Sequence, residues 1–198
     1  MTEMSISAPL RPIRLTILLA AALLLLAAWS GCGAEEEGSA AIDYEEALAG
    51  APGPLAAIHD QGNELLGGGV PAFRERLNEL EGYPVIVNKW ASWCGPCRFE
   101  FPSFQRISAR FGKQVAFLGV DSDDDADAAA TFLEQYPVPY PSYSDPDRAI
   151  AEEMTANFFP STAFYDRAGE IVYVKLGPYT SDDEFIADIQ RYALGQEG

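Results

Sequence analysis

Apolar residues are spaced in several ways along the chain, and each spacing predicts a different kind of element. From Leu15 to Trp29 the apolar run is broken only by Thr16. Phe73, Leu77 and Leu80 recur at a helical interval. Pro84 then opens Val85-Ile86-Val87-Asn88-Lys89-Trp90, a β-branched run that reads as a central strand. Phe101, Phe104, Ile107, Ser108 and Phe111 share one helical face, with Gly112 as the stop. Val115 to Val120 reads as a second strand, and Ala128 to Tyr136 as a second helix whose Asp-filled first turn complements the helix dipole. Pro137, Pro139 and Pro141 prevent its continuation, and a short helix is expected from Asp147 to Met154. Phe159-Pro160 introduces a strand from Ser161 to Tyr165. Asp166-Arg167-Ala168-Gly169 reads as a hairpin turn into an antiparallel strand from Ile171 to Leu176. Phe185, Ile189, Tyr192 and Ala193 give a terminal helix. The order is β-α-β-α followed by β-β-α, an α/β sheet covered on both faces by helices.

The N-terminal run follows Arg11 and Arg14 and precedes Ser30-Gly31-Cys32-Gly33, the layout of an export signal over residues 1–31. At 1.5 Å of rise per residue it would cover about 22 Å, short of the roughly 30 Å hydrocarbon core of a bilayer. It resembles a bacterial lipoprotein signal, which implies lipidation of Cys32 after cleavage. Trp29 stands where that pattern usually has an aliphatic residue. Cleavage after Ala28-Trp29-Ser30 and a retained signal anchor are the other readings, and all three export the domain. Residues 32–54, with Glu35-Glu36-Glu37, Pro52 and Pro54, read as an acidic tether, and residues 55–198 as the domain.

Composition narrows the chemistry. Thirty acidic against thirteen basic residues in a chain of 198 give a formal charge of −17, which disfavours nucleic acid and anionic lipid as partners. A single histidine, His59, and three cysteines exclude multi-histidine metal cages and disulfide-dense scaffolds. His59 reads as a surface residue. Asp123, Asp125, Asp127 and Glu134 match part of the EF-hand spacing, but Ala128 occupies the position that needs Gly, and an Asp-rich helix start explains the same residues. No metal and no bound cofactor are expected.

The candidate chemistry lies in Trp93-Cys94-Gly95-Pro96-Cys97, between a strand and a helix. A cysteine at an exposed helix N-terminus has its thiol pKa lowered, because unpaired N–H groups and the dipole favour the thiolate. Cys97 lies about one turn on, within reach of a mixed disulfide formed on Cys94. Half a zinc site lacks a second ligand pair, haem attachment would need His where Arg98 stands, and a purely structural disulfide would close too small a loop to stabilise much.

The WCGPC string, the strand ending in Asn88-Lys89-Trp90, Pro102 and the Phe159-Pro160 junction together resemble thioredoxin-like proteins of the exported TlpA/ResA branch, over roughly residues 60–194. The resemblance implies a three-layer thioredoxin fold with a mixed sheet, a redox-active Cys94–Cys97 disulfide, and Pro160 as a cis-proline facing it. It implies contacts to protein substrates from Trp93, Gly95, Pro96, Phe159 and Pro160. Asn88 stands where cytoplasmic thioredoxins hold a buried Asp, and Glu100 matches the Glu of the branch, placed to take the proton of Cys97. Phe159 departs from the smaller or β-branched residue common at its position in the family. The implied protein is a monomeric thiol-disulfide oxidoreductase outside the cytoplasm, exchanging with protein thiols and a membrane redox donor or acceptor. The expected direction is that of a reductant, for example one serving cytochrome c maturation. An oxidant of secreted proteins is the alternative within that chemistry, and a redox-inert binding module the alternative outside it.

Overall fold

The computed structural model describes residues 42–196. The chain runs through α1 (Tyr44–Leu48), α2 (Gly53–His59), β1 (Leu65–Leu66), α3 (Gly69–Glu79), β2 (Val85–Trp90), α4 (Gly95–Phe111), β3 (Ala116–Ser122) and α5 (Ala126–Gln135). It continues through β4 (Ser142–Asp145), α6 (Ala149–Glu153), β5 (Ser161–Tyr165), β6 (Ile171–Leu176) and α7 (Asp182–Asp188), which ends in a π-helical turn over Ile189–Ala193.

The strands form one six-stranded mixed sheet in the order β1-β4-β3-β2-β5-β6. β2 pairs parallel with β3 and antiparallel with β5, and β5 pairs antiparallel with β6. Every residue of β2 and β3 is buried, as central strands covered on both faces require. Packing of Phe101 on Phe132 and of Phe104 on Phe185 holds α5 and α7 beside α4 on one face. On the other face α3 contacts α6, and Arg74 donates to Glu153 across them. The expected hairpin is present: Asp166 Oδ1 accepts from the backbone N–H groups of Ala168 and Glu170, and Gly169 has a φ of 79°.

The sheet has two strands more than the sequence pattern predicts. β4 reads Ser-Tyr-Ser-Asp and has no apolar alternation, yet three of its four residues are buried. Ser142 Oγ accepts from Trp90 Nε1 at 3.1 Å. Asp145 accepts from the N–H groups of Ile150 and Ala151 and so caps α6. Gly119 lies on β3 where Trp90 and Ser142 meet, and a Cβ there would stand 2.9 Å from Trp90 Nε1 and collide with Ser142.

The folded unit also begins earlier than Leu55, the expected start. Asp43 caps α1 by accepting from the N–H of Glu46, Leu48 is buried, and Tyr44 Oη donates to Pro137 O at 3.1 Å. Leu55 and Ile58 of α2 are fully buried. These helices, of five and seven residues, are too short to show a period in the sequence, and they are held by tertiary contacts. The signal segment 1–31, Cys32 and the tether up to residue 41 lie outside the described residues.

Candidate active site

Trp90 ends β2, and four residues later Cys94 stands as the N-cap of α4 with extended backbone, φ −81° and ψ 104°. Its Sγ accepts from the backbone N–H of Cys97 at 3.1 Å, so the sulfur occupies the place of a capping oxygen at the positive end of a 17-residue helix. Pro96 lies in the first turn, where its fixed φ suits the helix and its missing N–H has no partner to lose. Cys94 and Cys97 are joined as a disulfide, with Cα atoms 5.3 Å apart. The helix start is exposed at Gly95 and Pro96, but Cys94 itself is only 3% exposed and Cys97 is fully buried. The loop covers more of the sulfurs than the expected open helix start.

Across from the disulfide, the Phe159–Pro160 peptide bond is cis. Pairing of Lys89 with Ser161 brings this junction to the end of β2 that leads into Cys94. The Phe159 ring packs on the Trp93 ring with centroids 4.8 Å apart. Trp93 Nε1 donates to Asp123 O at 2.9 Å, and Ser92 donates through both its N–H and its hydroxyl to the Asp124 carboxylate, so the β3–α5 loop supports the motif. The rim is apolar: Trp93, Phe158 and Leu176 are each more than half exposed. Leu176 pairs with Ser161, beside the cis-proline. Together these bring Trp93, Gly95, Pro96, Phe159 and Pro160 to one end of the sheet.

Beneath the motif lie Asn88 and Glu100. Side chains alternate along β2, so Ile86, Asn88 and Trp90 point to the face of α4. Asn88 Nδ2 donates to Glu100 Oε1 at 2.8 Å, and the backbone N–H of Tyr179 donates to Oε2 at 3.0 Å. Glu100 is fully buried, not a helix-surface carboxylate at the mouth of the site. Burial raises its pKa to about 7, against the opposing pull of those two hydrogen bonds and of the Lys175 charge. Asp121, also buried, is pushed up to about 8 by burial and by the neighbouring Asp124, Asp145 and Asp125.

The remaining candidates are structural. Asp125 caps α5, accepting from the N–H groups of Asp127 and Ala128, which accounts for the EF-hand-like spacing. Among the described residues no group of three or more His, Cys, Asp or Glu is placed to hold a metal. His59 is half-buried against Gly112, not a surface residue, and burial lowers its pKa. Sequence reasoning missed Lys89: its central-strand position showed that it would be buried, and nothing in the pattern showed what its charge would meet.

Comparison with known proteins agrees with this geometry. The chain is 34% identical over 116 residues to a thiol:disulfide interchange protein DsbE homolog of Paracoccus denitrificans, a match spanning 57% of this chain and 62% of that protein. It is 31% identical over 108 residues to the thiol-disulfide oxidoreductase ResA of Bacillus subtilis, spanning 54% of this chain and 60% of that one. The chain thus spans less than two thirds of the length of these relatives. A solved Chlorobium tepidum chain, described as a thiol:disulfide interchange protein DsbE, superposes with a TM-score of 0.55 at 29% identity, covering 60% of this chain and 85% of the other. The fold is thioredoxin-like. Residues 74–174, which contain both cysteines, Glu100 and the cis-proline, match the AhpC/TSA family, and the chain belongs to that family.

Proposed function

We propose that the protein is a thiol-disulfide oxidoreductase acting outside the cytoplasm. The observation that carries this reading is the Cys94–Cys97 disulfide at the N-terminus of α4, beside the cis Phe159–Pro160 bond. In the reducing direction the Cys94 thiolate attacks a substrate disulfide, forms a mixed disulfide and releases one substrate thiolate. Cys97, after giving its proton to the Glu100 carboxylate, attacks Cys94 Sγ. The second substrate thiolate leaves, and the two electrons of the cysteine pair pass to the substrate. Asn88 cannot titrate, so a carboxylate is needed elsewhere, and Glu100 is hydrogen-bonded to it.

Gly95-Pro96 is the dipeptide of strongly reducing thioredoxins, which favours a reductant, for example one keeping the haem-attachment cysteines of cytochrome c open. Equilibration of the cysteine pair against glutathione or dithiothreitol tests the direction. A potential near about −270 mV supports a reductant fed by a membrane donor, and one above about −200 mV supports oxidative folding of secreted proteins. No exchange with any disulfide would leave a redox-inert binding module. A thiol peroxidase is disfavoured, because Ala91-Ser92-Trp93 lacks the Pro and Thr that such sites place before the cysteine.

The segment before the domain supports export and attachment to the outer face of the cytoplasmic membrane through lipidated Cys32. Among the described residues no helix is long and apolar enough to cross a membrane. We read the protein as a monomer whose partners are protein thiols and a membrane redox donor or acceptor, with no nucleic acid.

A further inference from the structure

Lys89 is fully buried in β2, and among the described residues no carboxylate lies within ion-pairing distance of its ammonium. The nearby Asp145 is engaged elsewhere, its oxygens accepting from Ile150 N, Ala151 N and Ser122 Oγ. A buried cation without a carboxylate is costly unless polar atoms replace its water. Lys89 finds them in the loop that leads to the cis-proline. Its Nζ donates to Ala156 O at 2.8 Å and to Phe158 O at 3.4 Å, and stands 3.7 Å from the centroid of the Phe159 ring. Such a desolvated cation over an aromatic face is among the stronger contacts of its kind. Burial, and after it the Arg148 charge, lower the ammonium pKa to about 8 against the opposing pull of Asp145 and Asp123.

The Phe159 ring is held from two directions, by Lys89 and by Trp93. A continuous stack therefore runs from the interior of the sheet to the residue that precedes the first cysteine. Neighbouring positions on β2 serve opposite sides of the site: Asn88 reaches Glu100 on the α4 face, and Lys89 reaches the cis-proline loop on the other. We propose that Lys89 is a positioning residue, whose ammonium holds the 156–159 loop and the Phe159 ring against Trp93 and so shapes the groove beside the disulfide for a polypeptide. The inference rests on the oxidoreductase reading above.

The test compares the full chain with its Lys89→Met, Lys89→Arg and Lys89→Gln variants, using insulin and 5,5′-dithiobis(2-nitrobenzoic acid) as the protein and small disulfides. Met fills the volume and lacks the charge. Lys89→Met is expected to lower kcat/KM for insulin about thirtyfold, the size of one desolvated cation–π contact, mainly through KM. Turnover of the small disulfide should stay within about twofold, since it needs no groove. Lys89→Arg should restore part of the loss. Acrylamide should quench Trp93 more readily in Lys89→Met, with a Trp93→Phe protein supplying the background from the other tryptophans.

Unchanged kinetics and quenching in Lys89→Met, or equal losses with both substrates, would overturn the proposal. If Lys89→Met does not fold, Lys89→Gln, which keeps a donor for Ala156 O and removes the charge, takes its place and must show the same split between substrates and the same quenching. Failure of the wild-type protein to turn over either disulfide would sink the oxidoreductase reading itself, and the quenching comparison would still decide whether Lys89 holds the stack.

Discussion

Asn88 and Glu100 share a 2.8 Å hydrogen bond beneath the redox helix, and neither side chain has meaningful access to water. Asn88 donates through its amide nitrogen, and its oxygen has no partner among the described residues. The carboxyl group is thus bound to a residue that cannot take its proton. The Lys175 charge favours its ionised form and so works against the effect of burial.

The raised pKa of Glu100 makes stability depend on pH in a defined direction. Below the ordinary value of 4.5, Glu100 is protonated in both folded and unfolded chains. As pH rises towards about 7 the unfolded chain releases this proton while the folded one retains it, so stability falls, and above about 7 the loss is complete. A shift of this size corresponds to about 3 kcal/mol. Thermal melts of the oxidised protein between pH 4 and 8 should show the decline, and Glu100→Gln should make it shallower, leaving the share that the raised pKa of Asp121 contributes. Parallel curves for the two proteins would mean that burial does not perturb this carboxyl.

The same substitution should slow the resolving step. A base must be ionised, so wild-type release of the mixed disulfide should accelerate as pH passes about 7. Glu100→Gln should lose that rise and run about a hundredfold slower. Stopped-flow reduction of a small disulfide from pH 5 to 9 measures both, and superimposable profiles would leave Glu100 a buried structural acid.

Cys97→Ser should accumulate mixed disulfides on Cys94, and Cys94→Ser should not. In the reduced protein Cys94 should alkylate faster at neutral pH, because its sulfur caps the helix and is the less deeply covered of the two. Mass spectrometry after brief iodoacetamide treatment reads the order. Equal trapping by both variants would reverse the assigned roles.

Phe101 joins α4 to α5, contacting Trp90, Phe132 and Tyr136 while only 1% exposed. Phe101→Ala should cost about 3–5 kcal/mol in urea unfolding, since the rings around the cavity cannot all close on it. A loss below about 1 kcal/mol would show that the cluster collapses into the space.

Cys32→Ala should block lipid attachment. The wild-type mature protein should carry diacylglycerol mass and enter the detergent phase. A water-soluble mature form beginning at Gly31 would instead show ordinary secretory cleavage.

Much of the site was legible because its chemistry is local. A short β-branched run, a turn with paired cysteines and an aromatic-faced helix follow one another in the chain, and each leaves a pattern. Glu100 was legible as a residue one turn beyond Cys97, but its burial was not, because the loop that covers it supplies the Tyr179 N–H from 79 positions away. β4 escaped notice because its polar residues are buried to bond Trp90 and to cap α6, and sequence patterning reads such residues as loop. Lys89 escaped for a related reason: what satisfies its charge is two backbone carbonyls and a ring from a distant loop.

Trp90, Gly119 and Ser142 constrain one another's replacement. A side chain at position 119 would strike both neighbours, so no larger residue can enter there first. Loss of the Ser142 hydroxyl would strand the buried indole N–H, and a smaller residue at position 90 would open a void against Phe101 and Phe132. Among descendants of this sequence the three positions are therefore expected to vary as a set: a lineage must give up both the indole and Ser142 before it can lose the glycine, and one that keeps the indole inherits both partners unchanged.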